Sequence, residues 1–111
     1  MNRRDSDRVP LQMVVKEFAA EGERQSMTLN VSSEGLYVNR LSSDADTPAE
    51  DLALEIQLPG TSDTIWATAA VCHNRQLEHF QGTGMRFLSM ADKHRRLLKR
   101  YLRDYEEKLN N

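Results

Sequence analysis

Apolar and polar residues alternate with a period of two over much of the chain, a pattern typical of β-strands with one buried face. The clearest run covers residues 52–58, where four aliphatic residues alternate with polar or small ones before Pro59 and Gly60 end it. Residues 11–18 and 65–71 alternate in the same way. These three runs predict strands of an antiparallel sheet.

A further strand is predicted over residues 27–31, where Met27, Leu29 and Val31 alternate with polar residues. The sequence Glu-Gly-Glu at residues 21–23 favours a hairpin turn before this strand. The alternation places the three apolar side chains on one face of the strand.

Shorter segments complete the predicted sheet. Residues 36–38 and 85–88 are extended, whereas residues 40–50 are rich in Ser, Asp, Thr and Pro and read as an exposed loop. The stretch after Asn74 is polar up to Gln81. About six short strands at this spacing, with no repeat and no βαβ pattern, predict a sandwich or a closed barrel.

The period changes to 3.6 near the end of the chain, which predicts an amphipathic helix. Ser89 with Asp92 three residues later resembles a capping box at its start. The apolar stripe consists of Leu97, Leu98, Tyr101, Leu102, Tyr105 and Leu109. The basic residues beside it are Arg95, Arg96, Lys99, Arg100 and Arg103. We favour a helix packed over one barrel opening; a partner-binding or dimerising helix is a compatible alternative.

Charge is distributed unevenly along the chain. Residues 1–8 carry three Arg and two Asp, and residues 91–111 carry seven basic and four acidic side chains. The net charge of −2 therefore leaves −6 on residues 9–90. An acidic middle lacks the broad basic face that duplex nucleic acid requires. We expect any anionic ligand to be small and bound by a few arginines.

Length and composition indicate one cytoplasmic domain. The 111 residues are 39% hydrophobic, and Cys72 is the only cysteine, which suits a reducing compartment. The charged N-terminus has no apolar signal region, and no apolar run approaches the roughly 20 residues that span a bilayer. We predict a flexible arm over residues 1–9, a β-domain over 10–90 and the helix over 91–111.

Two short motifs carry candidate chemistry. They comprise Arg4 and Arg8 in an RxxxR spacing, preceded by Arg3, and Asn30, Ser32 and Gly35 in an NxSxxG spacing. Taken alone, an arginine pair is typical of a solvated tail. An NxSxxG segment is typical of a turn that ends a strand, with glycine at positive φ. It also matches a glycosylation acceptor, which has little force without a secretory signal.

Together and in this order, the motifs resemble the PilZ family, which carries RxxxR at the mouth of the domain and D/NxSxxG at the end of an early strand. The resemblance continues through residues 82–87, Gly-Thr-Gly-Met-Arg-Phe, and the closing helix. It implies an all-β fold, a six-stranded antiparallel β-barrel with a C-terminal α-helix. It also implies a receptor that binds cyclic di-GMP, catalyses nothing, and needs neither a metal nor a cofactor.

Simple chemistry explains why these residue types would suit that ligand. Guanine O6 and N7, like phosphate oxygens, accept two parallel hydrogen bonds from one guanidinium. Arg4 and Arg8 can approach one ligand from separate sides. Asn30 and Ser32, two apart on a strand, should share a face and offer directional hydrogen bonds. Gly35 should permit a left-handed turn and a close approach of the base.

The arm implies a mechanism in which its arginines clamp the ligand and reposition the arm against a downstream protein partner. The family resemblance places that partner in motility, adhesion or exopolysaccharide control. In this family the residue before RxxxR, here Arg3, influences whether one ligand or a stacked pair binds, and both stoichiometries stay open. We expect a monomer or a weak homodimer.

Other interpretations have weaker support. His73, at a strand end, either stacks on a guanine or is a surface histidine, and the surface position is favoured. The spacing of Cys72, His73, His79 and His94 matches no metal motif. A ligand-independent PilZ-like adaptor is the main alternative, although both motif arginines are present. A barrel for single-stranded nucleic acid would need a basic groove with exposed aromatic residues, and an enzyme would need a catalytic set that we do not find.

Overall fold

The computed structural model describes residues 8–20, 22–41, 51–76 and 80–109. Within these ranges it contains six strands and one helix: β1 (Val14–Ala19), β2 (Gly22–Val31), β3 (Gly35–Leu41), β4 (Asp51–Gln57), β5 (Thr64–Gln76), β6 (Phe80–Met90) and α1 (Asp92–Leu109). The strands form a closed antiparallel barrel in the order β1-β2-β3-β6-β5-β4, with β4 pairing back onto β1. The all-β barrel with a C-terminal helix is therefore confirmed.

The barrel interior holds the hydrophobic core. Strand β4 behaves as its pattern predicts, because Leu52, Leu54 and Ile56 are buried and their neighbours face outward. Opposite them on β5, Ile65, Ala67 and Ala69 also point inward. Small side chains on β5 leave room for the larger ones on β4, so the two strands fill the interior together.

Strand β2 differs from its pattern. Met27 and Leu29 are 40% and 43% exposed, whereas Thr28 between them is fully buried. A bulge between Thr28 and Asn30 then shifts the alternation and returns Val31 to the core. The apolar residues of this strand therefore lie on two faces, because one extra residue at a bulge reverses the alternation.

Polar side chains inside the barrel have hydrogen-bond partners that the alternation did not reveal. The Thr28 hydroxyl accepts a hydrogen bond from the Met13 amide at 2.8 Å and donates one to the Leu11 carbonyl at 2.6 Å. Strand β1 therefore begins at Val14, three residues later than predicted, although Leu11 and Met13 are buried. A side chain here bonds the main-chain groups that a regular ladder would otherwise pair.

Two strands are longer than their apolar runs. Strand β5 continues to Gln76 and pairs with β6, which begins at Phe80, so the described ends of the polar stretch after Asn74 belong to the ladder. Strand β3 likewise continues to Leu41, into the predicted loop. A ladder of backbone hydrogen bonds needs no buried face at its ends, and composition therefore underestimates its length.

Helix α1 packs against one barrel opening through Leu98 and Leu102, which are both buried. The Tyr101 hydroxyl donates a hydrogen bond of 2.6 Å to the Pro59 carbonyl in the turn after β4. The predicted capping box is wrong, because Ser89 lies in β6 and shares a 2.6 Å hydrogen bond with Thr68. Across the described ranges, no helix combines the length and apolar character needed to cross a bilayer.

Candidate functional site

The site residues that the structure describes meet at the barrel end that α1 covers. Val9 and Val31 exchange two backbone hydrogen bonds, of 2.8 and 3.0 Å, so the residue before Val9 lies beside the end of β2. The Arg8 guanidinium there donates a hydrogen bond of 2.7 Å to the Asn30 Oδ1 atom. One residue of each motif is thus in direct contact, although 22 positions separate them.

Arg3 and Arg4 lie outside the described residues, so their positions in the site stay a prediction. Arg8 is exposed, and its planar group, which has five N–H donors, donates one hydrogen bond to Asn30. The buried side chain of Val9 anchors the backbone just before the barrel and so fixes the position of Arg8. The backbone bridge therefore positions Arg8 without any help from the arginine itself.

Ser32 organises the turn that follows β2. Its hydroxyl accepts hydrogen bonds from the amides of Glu34 and Gly35, at 3.1 and 3.2 Å. Ser32 is buried, with an exposed fraction of 3%. The prediction that Asn30 and Ser32 lie on one strand is wrong, since β2 ends at Val31 and Ser32 follows it. A direct contact of Ser32 with ligand stays a prediction.

Gly35 is needed for a different reason from the one predicted. Its φ is not positive, and the positive-φ glycines among the described residues are Gly22 and Gly60. A Cβ on Gly35 would instead collide with the Met85 carbonyl oxygen and lie 3.2 Å from the Arg86 Cα atom. Close packing of β3 on β6 therefore excludes a side chain at this position.

Arg86 is a candidate site residue that the motifs did not include. It pairs with Gly35 across the β3–β6 ladder, and its side chain is exposed. Gly35 is itself buried, so Arg86 lies beside the close contact of β3 with β6. The sequence signal was the segment 82–87, but only the strand register shows that its arginine lies beside the turn.

Tyr37 is the second residue that the motifs missed. It pairs with Asn30 on one side and Gly84 on the other, and its ring lies where a Gly82 Cβ would be. The aromatic ring thus covers the glycine-rich start of β6, which explains why that segment has no side chain there. Tyr37 borders the same outer surface as Asn30.

Helix α1 also contacts the site. The Arg95 Nη1 atom lies 3.4 Å from the Ser33 carbonyl oxygen, to which it donates a long hydrogen bond. The Glu34 carbonyl next to it accepts a hydrogen bond of 2.8 Å from the Phe87 amide. The turn after β2 is therefore held by β6 and by the helix. Three arginines lie near it: Arg8 from the segment before β1, Arg86 from β6 and Arg95 from α1.

The histidine and cysteine candidates show other contacts. The Trp66 amide donates a hydrogen bond of 3.1 Å to the His94 Nδ1 atom, so this imidazole holds the helix start against β5. Cys72 is exposed in β5. Within the described ranges no group of three His, Cys, Asp or Glu could hold a metal ion. The side chains of His73 and His79 lie outside the description.

Comparison with known proteins agrees with this geometry. The PilZ domain family model matches residues 2–104. The Bacillus subtilis inhibitor of motility (MotI/DgrA) superposes with a TM-score of 0.82 at 21% identity, over 100% of this chain and 54% of that one. This chain thus spans about half the length of that protein. The PilZ domain of Escherichia coli YcgR, solved with c-di-GMP, gives 0.74 at 16% identity, over 99% of each chain.

Comparison with curated protein sequences found no match. The structural likenesses are below 25% identity and establish the fold, whereas the family match covers the sequence from the arginine motif into the closing helix. The motifs, the barrel and this match agree over nearly the whole length. The chain therefore belongs to the PilZ family.

Proposed function

We propose that this protein is a receptor domain that binds cyclic di-GMP on the outer surface around Arg8, Asn30 and the turn that ends at Gly35. It catalyses nothing and acts by signalling to a protein partner. The observation that carries the proposal is the 2.7 Å hydrogen bond between Arg8 and Asn30, which joins the two motifs at one point of the surface.

The chemistry of the surface matches the ligand. Cyclic di-GMP presents phosphate oxygens and guanine edges that are rich in acceptors, and Arg8 and Arg86 supply planar donors on either side of Gly35. The Asn30 amide nitrogen supplies a further donor while its oxygen holds Arg8.

A related structure supports the same ligand. The YcgR domain, which has the same fold over 99% of both chains, was solved with c-di-GMP. Its low identity of 16% means that this support comes from fold and motif together rather than from overall similarity. The coupling to motility that the name of the other neighbour suggests is part of the proposal, as is the identity of any partner.

The arm before Val9 gives the proposed signal. Arg4 is expected to join Arg8 on the bound ligand, which fixes the arm in a new position against the partner. Binding free energy from the arginines then offsets the entropy lost by the arm. The ligand thereby changes which surface of the domain the partner meets.

Isothermal titration calorimetry tests the proposal, with GMP and cyclic di-AMP as control ligands. We expect saturable binding of cyclic di-GMP alone, and a loss of affinity of at least about 100-fold in Arg8→Ala, which is about 2.7 kcal/mol. Arg103→Ala, an exposed arginine on α1, is the matched control and should bind as the wild type does. The molar ratio distinguishes one ligand from a stacked pair.

The same preparation tests the arm. A dye on Asn2→Cys in a Cys72→Ser background should change its emission when cyclic di-GMP is added, and Arg8→Ala should abolish the change. Binding without an emission change would contradict the arm mechanism. An absence of heat and of thermal stabilisation at high ligand concentration would contradict the proposed receptor function and would favour the ligand-independent adaptor.

A further inference from the structure

Trp66 is an exposed aromatic residue that the ligand site does not use. It lies on the outer face of β5, is 47% exposed, and stacks on Phe18 of β1 with ring centroids 5.9 Å apart. It is also the only tryptophan in the chain. The stack on Phe18 still leaves nearly half of Trp66 exposed, and tryptophan is enriched at protein interfaces.

A shallow groove of about 540 Å³ lies beside the Trp66 ring, and we call it the Trp66 groove. Its lining includes small side chains, such as Ala53, Thr68 and Ser89, and the imidazole of His94. The Thr68 and Ser89 hydroxyls share a hydrogen bond of 2.6 Å, and most of the other lining residues, among them Ala67, Met90 and Ala91, are apolar. The groove therefore suits an apolar side chain rather than a polar one.

Basic side chains border the Trp66 groove on its helix side. A second depression of about 410 Å³ shares His94 and is lined by Lys93, Arg96 and Arg100, with Asp63 as the acidic residue of its lining. The spacing of three and four residues places the three cations on one face of α1. Their charge contrasts with the value of −6 on residues 9–90.

We propose that the Trp66 groove and this basic helix face together dock a protein partner through a segment in which acidic residues flank one aromatic or aliphatic side chain. The apolar side chain occupies the groove against the Trp66 ring. The acidic residues pair with Lys93, Arg96 and Arg100, where charge complementarity sets orientation and speeds encounter. The inference rests on the proposed function in one respect, that a receptor without catalysis signals through a partner.

The location of the surface on α1 connects it to the ligand site. Arg95, next to Arg96 in sequence, bonds the Ser33 carbonyl in the site turn, while His94 bonds the Trp66 amide. One turn of the helix therefore contacts both regions. A shift of the turn on ligand binding would reach the docking surface through this helix turn.

Selection from a random 12-residue peptide library displayed on phage, with the full chain as bait, tests the proposal. We expect the enriched peptides to be acidic with one aromatic or aliphatic residue. Each should bind at least tenfold more weakly to Trp66→Ala and to the double variant Arg96→Glu, Arg100→Glu. Because Trp66 is the only tryptophan, quenching or a shift of its emission on adding a selected peptide reports occupancy of the Trp66 groove in the wild type. The double variant keeps this tryptophan and can be followed in the same way.

Matched controls separate the surface from general effects. Met27→Ala removes an apolar residue on β2 that is 40% exposed, close to the 47% of Trp66, and Lys108→Glu reverses a charge in the last turn of α1. Both should bind the selected peptides as the wild type does. All variants should bind cyclic di-GMP normally by calorimetry, so a failure of the docking proposal and a failure of the receptor function give different results.

Three outcomes would overturn the docking proposal. One is an enrichment of basic or neutral peptides, or of none. Another is enrichment of peptides whose binding the groove and helix variants do not weaken. The third is self-association of the wild type in sedimentation velocity that Trp66→Ala abolishes, because the surface would then be an interface between two copies of the chain.

Discussion

Two turns lie at the same end of the barrel and show how similar local chemistry serves different purposes. The site turn runs from Ser32 to Gly35 between β2 and β3. The other turn runs through Thr61 between β4 and β5, and we call it the opposite turn because these strands lie across the barrel. In each, a hydroxyl accepts hydrogen bonds from backbone amides within three residues: Ser32 from Gly35 at 3.2 Å, and Thr61 from Asp63 at 3.0 Å. Both are ST-type turns that ordinary turn chemistry explains.

The glycines of the two turns differ in what they make possible. Gly60 has a φ of +77° and open space around the position of a Cβ. Gly35 has an ordinary φ but lies against the backbone of β6. One glycine is therefore required by its own backbone and the other by its neighbour, and a sequence shows the same letter for both.

Helix α1 contacts both turns and so joins the two sides of the barrel end. Arg95 bonds the Ser33 carbonyl at 3.4 Å, and Tyr101 bonds the Pro59 carbonyl at 2.6 Å. The site turn is buried and carries the proposed ligand contacts, whereas Thr61 is exposed. Substitutions in the site turn should therefore affect stability and binding together, while those in the opposite turn should affect stability alone.

The largest expected effect comes from Gly35→Ala. The added methyl group must displace the backbone of β6, which should lower the free energy of unfolding by about 3 kcal/mol. Gly60→Ala is the matched control and should cost about 1 kcal/mol, because only the positive φ opposes it. Urea unfolding measures both. Equal costs for the two variants would contradict the assignment of different roles.

A smaller difference is expected between the two hydroxyls. Ser32→Ala leaves the amides of Glu34 and Gly35 without their bonded partner in a buried turn and should cost about 2 kcal/mol. Thr61→Ala affects an exposed turn where water can replace the hydroxyl, and should cost about 0.5 kcal/mol. Calorimetry should show that Ser32→Ala alone also weakens cyclic di-GMP binding. Identical affinities for cyclic di-GMP in both variants would show that the site turn does not contribute to ligand binding.

The smallest effect concerns the helix contact at the opposite turn and depends on pH. Burial, and then the charge of Tyr105, raise the pKa of the Tyr101 hydroxyl above its ordinary value. The folded state thus holds this proton more tightly than the unfolded state. The protonated hydroxyl therefore makes its full contribution to the free energy of unfolding below about pH 10, and this contribution is lost as the pH rises further.

Tyr101→Phe should therefore cost about 1 kcal/mol near neutral pH, where the hydroxyl bonds the Pro59 carbonyl. Relative to this variant, the advantage of the wild type should shrink when urea unfolding is repeated above pH 10. Arg95→Ala, which removes the helix contact to the site turn, is the comparison. Its difference from the wild type in free energy of unfolding should not change above pH 10, because this variant keeps Tyr101. A pH-independent difference between wild type and Tyr101→Phe would exclude the titration of this hydroxyl as the cause.

Some of the fold followed directly from local pattern. The alternation of residues 52–58 predicted β4, whose four aliphatic residues include three that lie inside the strand and Leu58 just after it, all buried. The 3.6-residue period predicted α1 and its buried Leu98 and Leu102. These elements have one simple buried face each, so periodicity is sufficient to identify them.

Other features depended on pairing that no local pattern records. The bulge in β2 placed Val31 in the core while Met27 and Leu29 face outward, and the β5–β6 ladder extended through polar residues to Gln76. In the site, the motifs named Arg8 and Asn30, while Arg86 and Tyr37 joined them through the register of β3 with its neighbours. Arg3 and Arg4 remain predictions.

The sequence alone determined the family through two short motifs, and its periodicity predicted strands and a closing helix, because both signals are local in the chain. The closed barrel and the guanine dinucleotide were implied by the family resemblance. Only the tertiary structure decided which side chains share a surface: the contact of Arg8 with Asn30, the position of Arg86 beside Gly35, and the exposure of Trp66 next to the basic face of α1. Strand register and the closure of the barrel set these neighbours, and both depend on contacts between residues far apart in sequence.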